Sequence, residues 1–321
     1  MENKSIYHYT GSLGLLGIIK DQTIRCTNLK FLNDREEYNY LYSVYVKRHK
    51  DDTNGLLELL KDVNNNMKEL YKIVYDSFGM FIELNQRDSY AACFTTNNDS
   101  IQNWMAYGRN PVNYSIEYAK QDVNNATLYC GRSNQKKIVD KLCGVRENEL
   151  IAGSELLKYF VPRFCKVEYG VEHFPDKVFS KFLSDILSEM NAAERGTDGL
   201  FNKTIESKFS RLYNEMIFSF SSTKKEEWKH ENEYRIVLSE STIFDGNKTV
   251  RKTGACDFIS WRDSNGMLIP FANFPISRRL IKSVTYLAQN NPQRVKESLE
   301  LLRSLYELDF EIKESECSLV I

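Results

Sequence analysis

Segments with the alternation of β-strands lie toward both ends of this chain, and helical periodicity dominates the residues between them. A strand is predicted at 5–9, and further strands are predicted at 233–238 and 281–287, because side chains on a strand alternate with period two. Strands so distant in sequence share a sheet only if the last part of the chain folds back beside the first part. The pattern therefore predicts one α+β domain over 1–321, with a small sheet built from both ends.

The remaining elements follow from the same periodicities. Further strands are predicted at 23–27, 89–95, 114–118, 165–169, 267–270 and 308–312, the last from the alternation of Leu308, Phe310 and Ile312. The predicted helices share apolar residues three or four apart. One begins after Thr10 or Ser12, either of which would cap it, and another begins after Asn291-Pro292. The others lie at 35–49, 55–78 and 101–107 and through most of 135–220. Large helical insertions are thus expected at about 35–85 and 135–225.

Composition excludes several classes of protein. The formal net charge of −1 gives no overall attraction to nucleic acid or to an anionic membrane. The seven cysteines are scattered and contain no C-x-x-C pair, which argues against a disulfide scaffold and against a structural zinc site. The N-terminus lacks the apolar core of a signal peptide, and no stretch reaches membrane-spanning length. We expect a cytoplasmic protein with free thiols and no metal.

Two acidic residues near the end of the chain are the first candidates for chemistry. On a strand, Glu231 and Glu233 would project from one face about 6.6 Å apart, and such proximity raises the pKa of one carboxyl. Arg235 would share that face and offset the charge. The alternative interpretation is a solvated edge strand with an incidental ion pair.

A set of motifs occurs here in a particular order: YHYT, FLND, CFTT, NWMAYG, NYSIEY and ENEYRIVL. In this order they resemble a widespread bacterial family catalogued as a domain of unknown function, over nearly the whole chain. The chain departs from that pattern at Arg35, where the family often has proline, and at Thr95, where it often has serine. Neither change removes a candidate catalytic group.

That family is in turn similar to the ADP-ribosyltransferases, which use a first-strand histidine, a middle aromatic residue and a late-strand glutamate. The resemblance implies a small split sheet, mixed or antiparallel, of the ADP-ribosyltransferase-like type. It implies NAD as a substrate, held by His8 and Thr10. The middle aromatic residue is either Tyr90 or Tyr107, of which Tyr107 is preferred. Asn33 and Arg109 are further candidates for the NAD pocket.

The implied chemistry suits these residue types. Breaking the bond between nicotinamide and ribose creates an oxocarbenium-like sugar, which the Glu233 carboxylate would stabilise. Glu231 would orient or deprotonate the nucleophile, and a neutral His8 would hydrogen-bond a ribose hydroxyl. This interpretation requires His8, a tyrosine ring and Glu233 to line a single cleft. It fails if His8 and Glu233 face different sides of the sheet.

Three functions follow as hypotheses. The first is an ADP-ribosyltransferase, as a bacterial toxin or phage-defence effector, that modifies RNA or DNA in preference to protein and is restrained by an inhibitor. Its phosphate-binding surface would use Lys136-Lys137, Arg211, Lys224-Lys225 and Arg278-Arg279. The second is a nucleotide- or protein-binding module of the same fold without turnover. The third is a metal-dependent nuclease.

Overall fold

The computed structural model describes residues 4–32, 40, 43, 88–107, 111–130, 156, 159–170, 215, 218–240, 242–245, 248–251 and 255–317. The chain forms two compact units. The first unit comprises Met1–Arg35, Asp88–Val167 and Glu227–Ile321, and the second comprises Glu36–Arg87 and Glu168–Glu226. The single domain over 1–321 stays a prediction.

Fourteen strands lie within the described residues. They are β1 (Ser5–Gly11), β2 (Thr23–Asn28), β3 (Ser89–Thr95), β4 (Val112–Ala119), β5 (Phe160–Lys166), β6 (Glu168–Tyr169), β7 (Thr223–Lys224), β8 (Glu233–Glu240), β9 (Thr242–Asp245), β10 (Lys248–Arg251), β11 (Ile259–Ser264), β12 (Met267–Pro275), β13 (Ile281–Ala288) and β14 (Glu311–Glu314). Ten of them form one sheet in the first unit, and β6 pairs with β7 in the second.

The described helices are short apart from the last two. They are α1 (Ser12–Leu16), which continues as a π-helical turn at Gly17–Asp21, α2 (Ile101–Tyr107), α3 (Lys120–Cys130) and α4 (Pro292–Leu305). Pro292 at the start of α4 has no N–H to leave unpaired, which suits a helix N-terminus. Neither Thr10 nor Ser12 caps α1: the cap residue is Gly11, and no side-chain bond is made there.

The large sheet is split at β3. Its order runs β11-β12-β2-β3-β1-β4-β13-β14, while β8 also pairs with β3 and β5 pairs with β8. Along one edge, β3 pairs with β8 from Ser89 to Thr95. The other edge of β3 pairs with two strands, with β2 near Tyr90 and with β1 at Thr95. Strands β1 and β2 therefore diverge from the same edge of β3.

One face of this sheet carries the main hydrophobic core. Its members share low exposure and include Ile6, Phe94, Ile116, Tyr118, Ile236, Leu238 and Phe274. The helix residues Leu15, Ile18 and Ile19 pack into the same core, as their helical spacing predicts. A smaller cluster formed by Tyr7, Tyr9, Trp104 and Leu287 lies apart from it. The two clusters mark opposite faces of β1, because Ile6 and Tyr7 are adjacent on a strand.

A mixed sheet with several helices, assembled from both ends of the chain, is confirmed, but with ten strands it is larger than the small sheet predicted. The strand at 89–95 and the helix at 101–107 have the predicted bounds. The closing strand is displaced to Glu311–Glu314, because Glu307 adopts a left-handed conformation (φ 51°) and Phe310 turns into the core before the strand begins. The predicted strand at 165–169 is two strands, β5 and β6. The helices predicted at 35–49 and 55–78, and most of 135–220, lie outside the described residues.

Candidate functional site

His8 lies where β1 separates from β3. Its Nδ1 is 2.8 Å from the carbonyl oxygen of Cys93. A carbonyl oxygen only accepts, so Nδ1 carries the proton and Nε2 keeps its lone pair. Burial lowers the pKa of His8, and the bond to Cys93 only partly offsets this. Among the described residues, the hydrogen bond of this ring is the one at Nδ1. The imidazole is thus a neutral ring in a fixed tautomer that offers one acceptor.

A chain of aromatic contacts leads from this imidazole to one cation. The ring of His8 lies 5.5 Å from Phe94, and Phe94 lies 6.4 Å from Phe164. Phe164 stacks on Tyr234 at 5.7 Å, and the Lys120 ammonium lies 5.4 Å from the Tyr234 ring centre. We name these five residues the His8 cluster. It combines apolar rings, an acceptor and a positive charge, which are the groups that bind a nucleotide's base, ribose and phosphate.

Tyr118 adds a buried hydroxyl beneath this cluster. Its ring is edge-on to Phe94 at 6.0 Å, and its Oη has no hydrogen-bond partner among the described residues. Burial raises the pKa of Tyr118, so the hydroxyl stays protonated. Sequence analysis did not select Tyr118, Phe164 or Lys120, because their strand and helix ends converge only in the folded sheet.

Glu233 and Arg235 form a buried ion pair on β8. Arg235 donates from Nε to Oε1 of Glu233 at 2.8 Å and from Nη2 to Oε2 at 3.0 Å. Both side chains are almost completely buried, and β8 is flanked by β3 and β5. The alternative of a solvated edge strand is therefore wrong. Arg235 does share the face of Glu233, as the alternation predicts.

His8 and Glu233 lie on opposite faces of the sheet. Directly opposed residues of paired strands share a face, and the register opposes Tyr7 to Thr95 and Thr95 to Glu233. Phe94, next to Thr95, points the other way and contacts His8. The expected single cleft is thus not formed. Nor are β1 and β8 adjacent, because β3 lies between them.

The proposed pairing of Glu231 with Glu233 on one strand face is also wrong. Glu231 ends a 3-10 helix at Glu226–Glu231, and Asn232 adopts a left-handed conformation with φ 45°. The alternation of β8 therefore begins only at Glu233. The main chain of Glu231 is fixed instead by Thr95, whose Oγ1 donates to its carbonyl oxygen at 2.6 Å.

The two candidate stacking tyrosines have different environments. Tyr90 is buried in the core against Phe160, so its ring is not a platform for a ligand. Tyr107 is 36% exposed at the end of α2 and lies 6.4 Å from the Tyr9 ring. Since Tyr9 shares the face of Tyr7, Tyr107 is on the Glu233 side of the sheet and not on the His8 side.

The remaining candidates are placed as follows. Thr10 shares the face of His8 and contacts α1 at Gly14, where any Cβ would overlap the Thr10 hydroxyl. Asn33 and Arg109 lie outside the described residues, as do Lys136-Lys137 and Arg211. Of the other basic candidates, Lys224 is buried, and Arg278 donates to the carbonyl oxygen of Ile19.

A network that sequence analysis missed holds α2 on the Glu233 face. Asp99, with φ 46°, accepts from Trp104 Nε1 at 2.7 Å and from the Ser315 hydroxyl, and its Oδ2 accepts from the Glu316 N–H at 2.8 Å. Trp104 packs edge-on against Tyr9 at 4.8 Å. The motif tryptophan therefore fixes structure here rather than offering a ring to a ligand.

Comparison with known proteins gives one match. Residues 103–236 match a family model described as "Protein of unknown function (DUF2971)". The match includes β4, α3, β5 and the start of β8, whereas His8 lies before it. No curated protein and no solved structure matches the chain.

The described residues contain no group of three or more His, Cys, Asp or Glu residues that could hold a metal ion. None of the described helices combines the length and apolar character needed to cross a membrane.

The depressed pKa of His8 predicts acid-sensitive stability. Because the folded pKa lies below the unfolded one, the unfolded chain binds the extra proton, and stability falls as pH drops through the unfolded pKa of about 6.5. The loss is at most about 1.4 kcal/mol per pH unit for one proton. Between about pH 7.5 and 5.5, His8→Asn is expected to lose less stability than the wild type.

Urea unfolding followed by circular dichroism measures this difference. His230 is the matched control, because it is exposed and its Nδ1 also contacts a backbone carbonyl oxygen, that of Glu227 at 3.0 Å. His230→Asn is expected to follow the wild-type pH dependence. If the stability of the wild type and of His8→Asn depended equally on pH, His8 would titrate alike in the folded and unfolded states, and the prediction would be wrong.

Proposed function

We propose that the chain binds NAD or a related adenine nucleotide at the His8 cluster. The observation that carries this proposal is the neutral imidazole, whose Nδ1–H donates to the carbonyl oxygen of Cys93 and whose Nε2 therefore keeps a lone pair that can accept. A ribose hydroxyl would donate to Nε2. The partly exposed rings of Phe164 and Tyr234 would contact the base, and Lys120 would attract the phosphates.

We further propose that the sheet is of the ADP-ribosyltransferase-like type. The strand order supports this, because β1 with His8 and β8 with Glu233 flank β3 on its two edges. The divergence of β1 and β2 from one edge of β3 supports the split that this type of sheet requires.

ADP-ribosyl transfer is the second candidate function, and the same strand order favours it. The orientation of Glu233 argues against this function. Glu233 faces away from His8, and both of its carboxylate oxygens accept from Arg235. A carboxylate held in this way is not available to stabilise a developing charge on ribose. We therefore favour nucleotide binding without turnover. The nuclease alternative, the macromolecular acceptor and the inhibitor stay predictions.

Isothermal titration of the full chain with NAD tests the binding proposal. His8→Asn keeps an amide that donates to the Cys93 carbonyl but removes the acceptor at Nε2. We expect it to weaken NAD binding about ten-fold, the equivalent of about 1.4 kcal/mol for one hydrogen bond in a water-excluded site. His230→Asn is the control and should bind NAD like the wild type.

Two results would overturn the proposal. One is a wild-type chain that binds neither NAD nor ADP-ribose at millimolar concentration. The other is His8→Asn that folds and binds NAD with unchanged affinity.

Labelled NAD separates binding from transfer. Incubation with RNA, DNA and lysate protein is expected to leave NAD intact. Transfer of label by the wild type, lost in a folded Glu233→Gln variant, would establish the transferase and refute binding without turnover.

A further inference from the structure

A row of side chains extends from His8 across four neighbouring strands. His8 on β1 contacts Phe94 on β3. Phe94 is directly opposed to Tyr234 on β8, and Tyr234 is directly opposed to Lys166 on β5. Directly opposed residues of paired strands point to the same face of a sheet. The row therefore crosses the face that carries the main hydrophobic core, with the imidazole at one end and the Lys166 side chain at the other.

Two lysines belong to the surroundings of Tyr234. Lys166 is the last residue of β5, and its side chain is exposed. The ammonium of Lys120, the first residue of α3, lies 5.4 Å from the centre of the Tyr234 ring. Helix α3 packs against β5, so the start of the helix and the end of the strand come together at this tyrosine. This end of the row thus offers positive charge from two separate elements.

The length of the row bears on the kind of ligand that can use both ends. Neighbouring strands lie about 4.8 Å apart, so three spacings separate the backbone of His8 from that of Lys166 by about 14 Å. The phosphate of a nucleoside monophosphate is attached directly to its ribose. The diphosphate of NAD or ADP-ribose instead extends from the adenosine to a second ribose. Such an extended ligand can reach Lys166 while one of its ribose hydroxyls is bonded to His8.

We infer that Lys166 binds the diphosphate of an extended nucleotide and so determines a preference for ADP-ribose-containing ligands over nucleoside monophosphates. This inference rests on the proposed nucleotide site, and it adds to that site a second cation and a requirement for ligand length. Lys120 and Lys166 approach Tyr234 from different elements, so each ammonium would attract a different phosphate of the pair.

Titration calorimetry with ADP-ribose and with AMP tests the inference on the full chain. At about pH 8 the two ligands carry nearly the same total charge, because the single phosphate of AMP is then doubly ionised. They differ in how far that charge extends from the adenosine. The wild type is expected to bind ADP-ribose about ten-fold more tightly than AMP.

Variants of Lys166 give the decisive comparison. Lys166→Gln is expected to weaken ADP-ribose binding about ten-fold and to change AMP binding by less than about two-fold. Lys166→Arg keeps the positive charge and should retain most of the wild-type affinity for ADP-ribose. Lys296→Gln is the matched control, since Lys296 is an exposed lysine on α4, and it should bind both ligands like the wild type.

The outcomes separate this inference from the proposed site. If neither ligand binds at millimolar concentration, both proposals are wrong. If both ligands bind and lose affinity in His8→Asn, but Lys166→Gln leaves the ratio of their dissociation constants unchanged, the nucleotide site is supported and the role of Lys166 is refuted. Equal losses of ADP-ribose affinity in Lys166→Gln and Lys166→Arg would also refute it, because the positive charge would then not be what the ligand requires.

Discussion

Arg235→Met is expected to destabilise the fold by about 3–5 kcal/mol, because it leaves the buried Glu233 carboxylate without its guanidinium partner. The penalty is the cost of an uncompensated buried charge, and it exceeds the net value of the pair itself. Replacing both residues by methionine removes both charges and is expected to recover a large part of the loss. Guanidinium unfolding at neutral pH measures each variant.

The control for this prediction is an exposed pair with comparable geometry. Lys30 Nζ lies 3.0 Å from Asp88 Oδ1, but its side chain is 40% exposed. Lys30→Met is therefore expected to cost about 0–1 kcal/mol. If Arg235→Met also costs less than about 1 kcal/mol, the pair is not a structural element of the core. Glu233 would then again be a candidate catalytic residue.

Trp104→Ala is expected to cost about 3–5 kcal/mol, because it empties a fully buried site beside Tyr9. Trp104→Phe is expected to cost less, about 1.5–3 kcal/mol, chiefly through loss of the Nε1–H bond to Asp99. Since tryptophan fluorescence changes in both variants, circular dichroism is the appropriate probe of unfolding.

Met105 provides the comparison within the same helix. It is 63% exposed, and Met105→Ala is expected to change stability by no more than about 0.5 kcal/mol. A Trp104→Ala variant with normal stability and impaired NAD binding would contradict the structural role and favour a ring that stacks on the ligand.

Local patterns predicted the elements of this sheet well, because they depend on neighbouring residues. The segment SYAACFT, read as a strand, corresponds to β3, and the spacing of Leu15, Ile18 and Ile19 corresponds to a buried helix face. Sequence signals were also overlooked. Asn265-Gly266 between two alternating segments is a strong hairpin signal, and it predicts β11 and β12 together.

Alternation along β1 and along β8 was also sufficient to group Ile6 with His8 and Arg235 with Glu233. It was not sufficient to relate one group to the other. The relation depends on the register of β1 with β3 and of β3 with β8, and a shift of one residue reverses every face. Sequence reasoning therefore placed His8 and Glu233 together where the fold separates them.

The amino-acid sequence by itself determined the strands that carry His8 and Glu233, β1 and β8, and which side chains share a face along each of them. These properties follow from backbone geometry within a few residues. Only the tertiary structure decided which face each group occupies, that Arg235 engages Glu233, and that ring contacts through Phe94 and Phe164 connect His8 to Tyr234 and Lys120. These properties arise from register and from contacts between distant segments, which no local pattern specifies.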